Sequence, residues 1–273
     1  MTYFQHAGIR FHYIDEGEGM PFIFLHGLGG SVAQPAGLYK PIPGVRFISL
    51  DFRGHGETRE LGDPDQIGFD TFSADVFALM HHLQLEHAVI GGISMGAGVA
   101  LHFALNYSGK VRGLILSRIA WEDMPQPAES QRVFATVARM IETLGAERGK
   151  EQFRKTDIYM NMAAVSPDAA DSLLRQFDYP HVEETWIKFI RIPADAPSRD
   201  RRAWSEIRVP TLILANQLDP IHPYAYGQLA AKTIPHAQFN ILTPKSIDAQ
   251  AHAEQTGAYV GEFLGSLLEG GVS

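Results

Sequence analysis

Apolar residues fall along this chain in two rhythms. Short runs rich in β-branched and aromatic side chains, each closed by glycine or a turn cluster, occupy positions 10–14, 21–25, 46–50, 87–90, 111–116, 210–215 and 238–242. These predict strands, most of them buried on both faces. Between several of them lie amphipathic stretches of helical length at 72–83, 95–107 and 224–233. Alternation of this kind predicts a mostly parallel central sheet with helices on both faces, an α/β architecture. The opening pair of runs, 3–6 and 10–15, is separated only by Ala7-Gly8-Ile9 and predicts an antiparallel hairpin at the sheet edge.

The alternation stops between 120 and 206. No strand pattern occurs there, whereas helical patterns at 128–144, 169–177 and 182–190 are separated by proline-containing segments at 125–127, 166–167 and 193–197. The expected organisation is therefore a core domain from 1–119 and 207–273, interrupted by a helical insertion from 120–206.

Composition narrows the chemistry. The 273 residues include no cysteine, which removes disulfides, thiolate metal sites and thiol nucleophiles. Twenty-three basic residues against 31 acidic ones give a net charge of −8, spread without long runs, which argues against nucleic acid or an anionic membrane as partner. No 18-residue apolar run or signal-peptide pattern occurs, so the expected compartment is the cytoplasm. Asn106-Tyr107-Ser108 fits a glycosylation acceptor but falls in a predicted helix, and is read as coincidence. His81 and His82 are adjacent on a helix and point apart, so no metal site is expected.

The chemistry concentrates at Gly92-Ile93-Ser94-Met95-Gly96, directly after a predicted strand and before a predicted helix. A serine hydroxyl becomes a useful nucleophile when a sharp strand-to-helix turn holds it exposed, and glycines two residues to either side permit that turn. A dinucleotide fingerprint is excluded, since Gly27-Leu28-Gly29-Gly30 lacks its spacing. Two further segments accompany the serine: His26-Gly27-Leu28-Gly29-Gly30-Ser31 after the third strand, and Asp51-Phe52-Arg53-Gly54-His55-Gly56-Glu57-Thr58 after the fourth.

In this order and spacing the three segments resemble the α/β-hydrolase family over essentially the whole chain. The resemblance implies that the insertion is a cap over the serine. It also implies that the oxyanion donors are the backbone N–H groups of Leu28 and Met95, that the catalytic acid and histidine follow Ser94 in that order, and that no cofactor or metal is needed. Residues 212–223 resemble the family's strand and acid loop, with Asp219 in the acid position and Asn216, which tolerates left-handed geometry, where glycine is usual. Glu122 and Asp123 are alternative acids. The usual Gly-His pair after the last strand is missing, and His252 is the histidine found there. His252 is thus the expected general base, with His222, three residues past the acid, as competitor. The Asp51–Thr58 segment is read as shaping a loop.

The expected activity is that of a serine hydrolase acting on a carboxylic ester or similar small acyl substrate. Lactonases, carbon–carbon bond hydrolases and haloperoxidases on the same triad stay open, as does a non-catalytic receptor of the same fold. Trp121, Phe134, Tyr159, Phe177, Tyr179, Trp186 and Phe189 of the insertion are expected either to line the substrate pocket or to form the cap's own core.

Overall fold

The hairpin that opens the chain joins β1 (Thr2–His6) to β2 (Ile9–Glu16) through Ala7 and Gly8, both at positive φ (49° and 78°), so the loop is two residues long. This is the mirror-image turn whose twist matches that of paired strands. A computed structural model describes residues 2–270. Six further strands follow: β3 (Met20–Leu25), β4 (Val45–Leu50), β5 (Ala88–Ile93), β6 (Val111–Ser117), β7 (Thr211–Ala215) and β8 (Gln238–Ile241). They form one eight-stranded sheet ordered β1-β2-β4-β3-β5-β6-β7-β8, antiparallel where β2 meets β1 and β4 and parallel elsewhere. Each strand run read from the sequence lies within one or overlaps its ends closely. Burial on both faces holds for β5 and β7, while β8 is half-exposed because it closes the sheet at an edge.

The described residues also form four short 3-10 turns and eleven α-helices: α1 (Ala33–Ala36), α2 (Phe69–His82), α3 (Met95–Asn106), α4 (Ala128–Leu144), α5 (Ala146–Phe153), α6 (Asp157–Val165), α7 (Pro167–Arg175), α8 (Val182–Thr185), α9 (Lys188–Arg191), α10 (Tyr224–Thr233) and α11 (Ala249–Glu269). Side chains alternate across the sheet. Ile23, Leu25, Ile48, Ile90 and Leu114 share a core with α2 and α3, whereas Phe22, Phe24, Phe47, Val89 and Ile115 pack against Val260, Phe263 and Leu264 of α11. Period-two burial on both faces is what makes the strands read as continuous apolar runs.

Between β6 and β7 the chain makes only helices, α4 to α9, and these share an apolar core of their own that includes Val133, Phe134, Val137, Phe153, Leu173, Phe177 and Phe189. Two of these helices, α5 and α6, lie outside the helical patterns read from the sequence: α5 is eight mostly polar residues, and α6 buries no residue fully. The single helix anticipated at 182–190 is broken into α8 and α9. Polar ties hold this layer to the sheet domain. Asp195 Oδ2 accepts from Phe69 N at 2.9 Å, which satisfies the first amide of α2. Lys188, 1% exposed, donates to the Gly54 carbonyl and to Thr185 Oγ1. Burial lowers the Lys188 pKa to about 7.

The loop after β4 is tied to β2, to the loop after β3 and to α2. Asp51 accepts from Val32 N (2.7 Å) and Glu57 N (2.9 Å), and its Oδ2 lies 2.7 Å from His12 Nδ1. Arg53 makes a bidentate pair with Asp75 at 2.7 and 2.6 Å, with side chains 6% and 0% exposed. Removing one partner of such a pair strands the other in low dielectric, so Arg53→Met should destabilise the fold by about 3–5 kcal/mol in urea titration. A loss below about 1 kcal/mol would place the pair among ordinary surface contacts.

Candidate active site

Ser94 stands between β5 and α3 at φ 57° and ψ −114°, a conformation that costs a non-glycine residue about 1–3 kcal/mol. The flanking glycines explain how the chain gets there. A Cβ on Gly92 would lie 2.0 Å from Gly96 C, and one on Gly96 would lie 2.4 Å from the Leu25 carbonyl oxygen. Strand, helix and the end of β3 therefore meet at distances that only glycine allows. A Cβ on Gly27 would be 3.4 Å from Ser94 Cβ, which places the loop after β3 beside the serine. His26 fixes that loop by donating from Nδ1 to the Gly27 carbonyl (2.8 Å) and accepting from Phe52 N at Nε2 (3.1 Å). Leu28 follows Gly27 in this loop, and Met95, as the first residue of α3, has no carbonyl one turn earlier within the helix for its N–H.

The histidine at the serine is His222, not His252. His222 Nε2 lies 2.8 Å from Ser94 Oγ, and its Nδ1 lies 2.9 Å from Asp219 Oδ2. His252 falls on the first turn of α11, 2% exposed, where Nδ1 donates to the Thr243 carbonyl at 2.8 Å. The reason is local. Asp219 Oδ1 accepts from both Ile221 N and His222 N at 3.2 Å, wrapping the loop around its own carboxylate and folding His222 back over it. Proline on both sides of Ile221-His222 restricts the turn further. Its left-handed residue is Leu218 (φ 59°) rather than Asn216, whose Nδ2 donates to the Gln217 carbonyl at 2.8 Å. The sequence signal for this arrangement is the Asp-Pro-Ile-His-Pro run itself.

Arg118, the residue after β6, was not anticipated. It is 9% exposed and binds Asp219 Oδ2 through Nε (3.2 Å) and Nη2 (2.7 Å), with Nη2 also 3.0 Å from His222 Nδ1. Arg118 Nη2 and His222 Nδ1 share Asp219 Oδ2 as acceptor, so with the proton on Nδ1 both donate to that oxygen and their 3.0 Å approach to each other is a contact, not a hydrogen bond. Burial by itself would raise the Asp219 carboxyl, but the facing His222 and Arg118 outweigh it and hold the group well below the usual carboxylate range. Asp219 is therefore an acceptor only, which gives the proton to Nδ1 and turns the Nε2 lone pair to Ser94. Burial, with help from Arg118, lowers the His222 pKa against the opposing pull of Asp219. Such a ring can take the proton of the serine hydroxyl. Glu122 and Asp123, the alternative acids, are both engaged by Arg201.

The core of the helical layer packs against Leu28 and Ile221, which flank Gly27 and His222 in the chain. A cavity of about 300 Å³ is lined by Pro127, Val133, Phe134, Met162, Pro220 and Ile221, and a wider cleft between α4 and α6 shares Val133, Met162 and Pro220 with it. Of the expected aromatics, Phe134 lines this cavity. Phe177 and Phe189 belong to the apolar core of the helical layer, with Tyr159 and Trp186 packed against it, and Trp121 belongs to the core shared with the sheet. Tyr179 and Gln176 touch the serine-side loop: a Cβ on Gly29 would be 2.6 Å from the tyrosine ring and 2.0 Å from Gln176 Oε1. That oxygen is buried without a hydrogen-bond partner among the described residues.

Residues 20–245 match the family model for the alpha/beta hydrolase fold. The chain is 31% identical over 230 residues to an AB hydrolase superfamily protein, YisY, of Bacillus subtilis (strain 168), covering 78% of this chain and 80% of that one. It is 26% identical to the 2-hydroxymuconate semialdehyde hydrolase of Pseudomonas sp. (strain CF600), over 94% and 91% of the two chains. Among solved structures, the enol-lactonase from Burkholderia xenovorans LB400 superposes with a TM-score of 0.76 at 23% identity, over 96% of this chain and 99% of that one. The chain belongs to the α/β-hydrolase fold family and is a hydrolase.

Proposed function

We propose that this hydrolase cleaves a carboxylic ester or similar small acyl compound through an acyl-enzyme on Ser94, with His222 as general base and Asp219 as its orienting acid. The observation that carries the reading is the 2.8 Å approach of His222 Nε2 to Ser94 Oγ at a residue held in strained geometry. As Oγ attacks the acyl carbon, its proton passes to Nε2, and the imidazolium so formed is stabilised by the Asp219 carboxylate. The same proton then goes to the leaving oxygen. Water, deprotonated by His222 in turn, releases the acid and restores the serine. In this reading the amides of Leu28 and Met95 donate to the oxyanion, and the position of Met95 at the start of α3 adds the positive end of the helix dipole. Residues 120–206 act as the cap, with the Phe134, Met162 and Ile221 cavity taking the acyl chain. The chemistry asks for no cofactor.

Wild type should react rapidly with a fluorophosphonate probe, and Ser94→Ala should neither label nor turn over a 4-nitrophenyl ester while melting within a few degrees of wild type. His222→Ala should lower kcat by about three orders of magnitude or more, whereas His252→Ala should cost far less. Residual activity above about a tenth in either Ser94→Ala or His222→Ala would overturn the assignment.

The pH profile follows from the shift of His222. Its neutral form is the base, and its pKa lies below the ordinary 6.5, so kcat/KM should hold on acidification past 6.5 and fall only as pH drops through the lowered value. Arg118→Met removes a cation that opposes imidazolium formation, and should move this acid limb to higher pH. An unmoved limb would mean that Arg118 does not act on the base.

Selectivity should follow the cavity. Met162→Ala enlarges it without touching the triad, so the ratio of turnover on bulky against short acyl esters should rise several-fold. An unchanged ratio would place the acyl group elsewhere.

A further inference from the structure

On the face of the sheet covered by α1 and α11, one residue away from the nucleophile, lies a second cavity of about 210 Å³ whose lining includes Gln34, Ile93, Ser117, Arg118, Lys245 and His252. Its position next to the triad is set by covalent and hydrogen-bond geometry. Ile93 precedes Ser94, the Ser117 carbonyl accepts from Ser94 N at 2.9 Å, and Arg118 is the residue bound to Asp219. Its floor is buried, with Ser117 1%, Arg118 9% and His252 2% exposed, while Gln34 is exposed and Lys245 half-buried at its rim.

The charges at this cavity do not balance. Arg118 is spent on Asp219. Lys245 has no hydrogen-bond or ion-pair partner among the described residues, although it is partly withdrawn from solvent. The charged groups that act on it are Arg118 and Arg175 against Asp168 and Asp219, so three cations face two carboxylates in a chain whose net charge is −8. The effect is felt on both lining groups. Burial and then the Arg118 charge lower the Lys245 pKa to about 8, and burial and then Arg118 lower that of His252 to about 4. Neutral donors stand beside the ammonium. Gln34 spends Oε1 on Gly27 N at 2.7 Å and keeps its amide N–H groups, and Ser117 keeps its hydroxyl.

A cavity of this size, with an unpaired ammonium, the buried Ser117 hydroxyl and the amide of Gln34 at its exposed rim, has the chemistry of an oxyanion receptor. We propose that it binds a small carboxylate, with Lys245 as the charged partner and Ser117 and Gln34 as donors. The carboxylate has two sources, a free acid group carried by the acyl substrate or a separate short-chain acid. The first deepens the esterase reading above and rests on it.

Calorimetry with propionate, and with propionamide as its neutral counterpart, tests binding without turnover. Propionate should bind wild type and propionamide should not. Lys245→Gln should weaken propionate by about tenfold or more, and Lys245→Arg should restore most of the affinity. The source is read from kcat/KM for a 4-nitrophenyl hydrogen glutarate and a 4-nitrophenyl valerate. A fall of about tenfold in the glutarate-to-valerate ratio in Lys245→Gln supports the substrate's own acid group. An unchanged ratio with propionate binding intact supports a separate acid. Propionate binding no better than propionamide, or affinity within about twofold in Lys245→Gln, overturns the proposal. Fluorophosphonate labelling of Ser94 in the same samples reports separately on the serine mechanism.

Discussion

Everything at this site hangs on the contact between Gly92 and Gly96 across Ser94. Because neither residue has a side chain, the end of β5 and the start of α3 approach to a distance at which a single methyl would overlap backbone. The serine between them is forced into positive φ and out of both the strand and the helix. Its hydroxyl is then the element that faces the loops from β3 and β7. The strain is held in place by the surroundings, since β5 is buried along its whole length and α3 is buried over most of its residues.

The second layer of organisation is electrostatic. Asp219 takes two backbone amides on one oxygen and Arg118 on the other, so it remains an anion in spite of its burial. That anion assigns the histidine tautomer. Arg118 plays on both sides: it holds Asp219 as an anion and at the same time disfavours charge on His222. The balance keeps His222 neutral over a wider range of pH than a free imidazole, with Asp219 set to receive it once it is charged.

The fold was legible because its strands are buried on two faces, which writes them as unbroken apolar runs, and because the elbow at Ser94 admits so few residue types. The insertion was legible as helical where helices bury one stripe, as in α4. It was not where short, largely exposed helices such as α6, with no fully buried residue, carry little period. At the site, Ser94 and Asp219 are found where the sequence placed them, at strand ends. In the sequence His252 stands out over His222 because it follows the last strand. What decides between them is a turn, in which one carboxylate gathers two amides from residues two and three positions ahead, and such local hydrogen bonding leaves no periodic trace. Arg118 was missed for a related reason: nothing in its neighbours marks it, and its partner is 101 residues away.

The three-residue step from Asp219 to His222 also changes how the site tolerates motion. Where acid and base sit on loops after different strands, their separation and the separation of base from nucleophile are two independent distances, each exposed to the breathing of a different pair of elements. Here the first distance is fixed by the chain within a single turn, and only the second spans the fold. Displacement of β8 and α11 then leaves the Asp219–His222 pair intact, so the C-terminal part of the molecule does not set that distance.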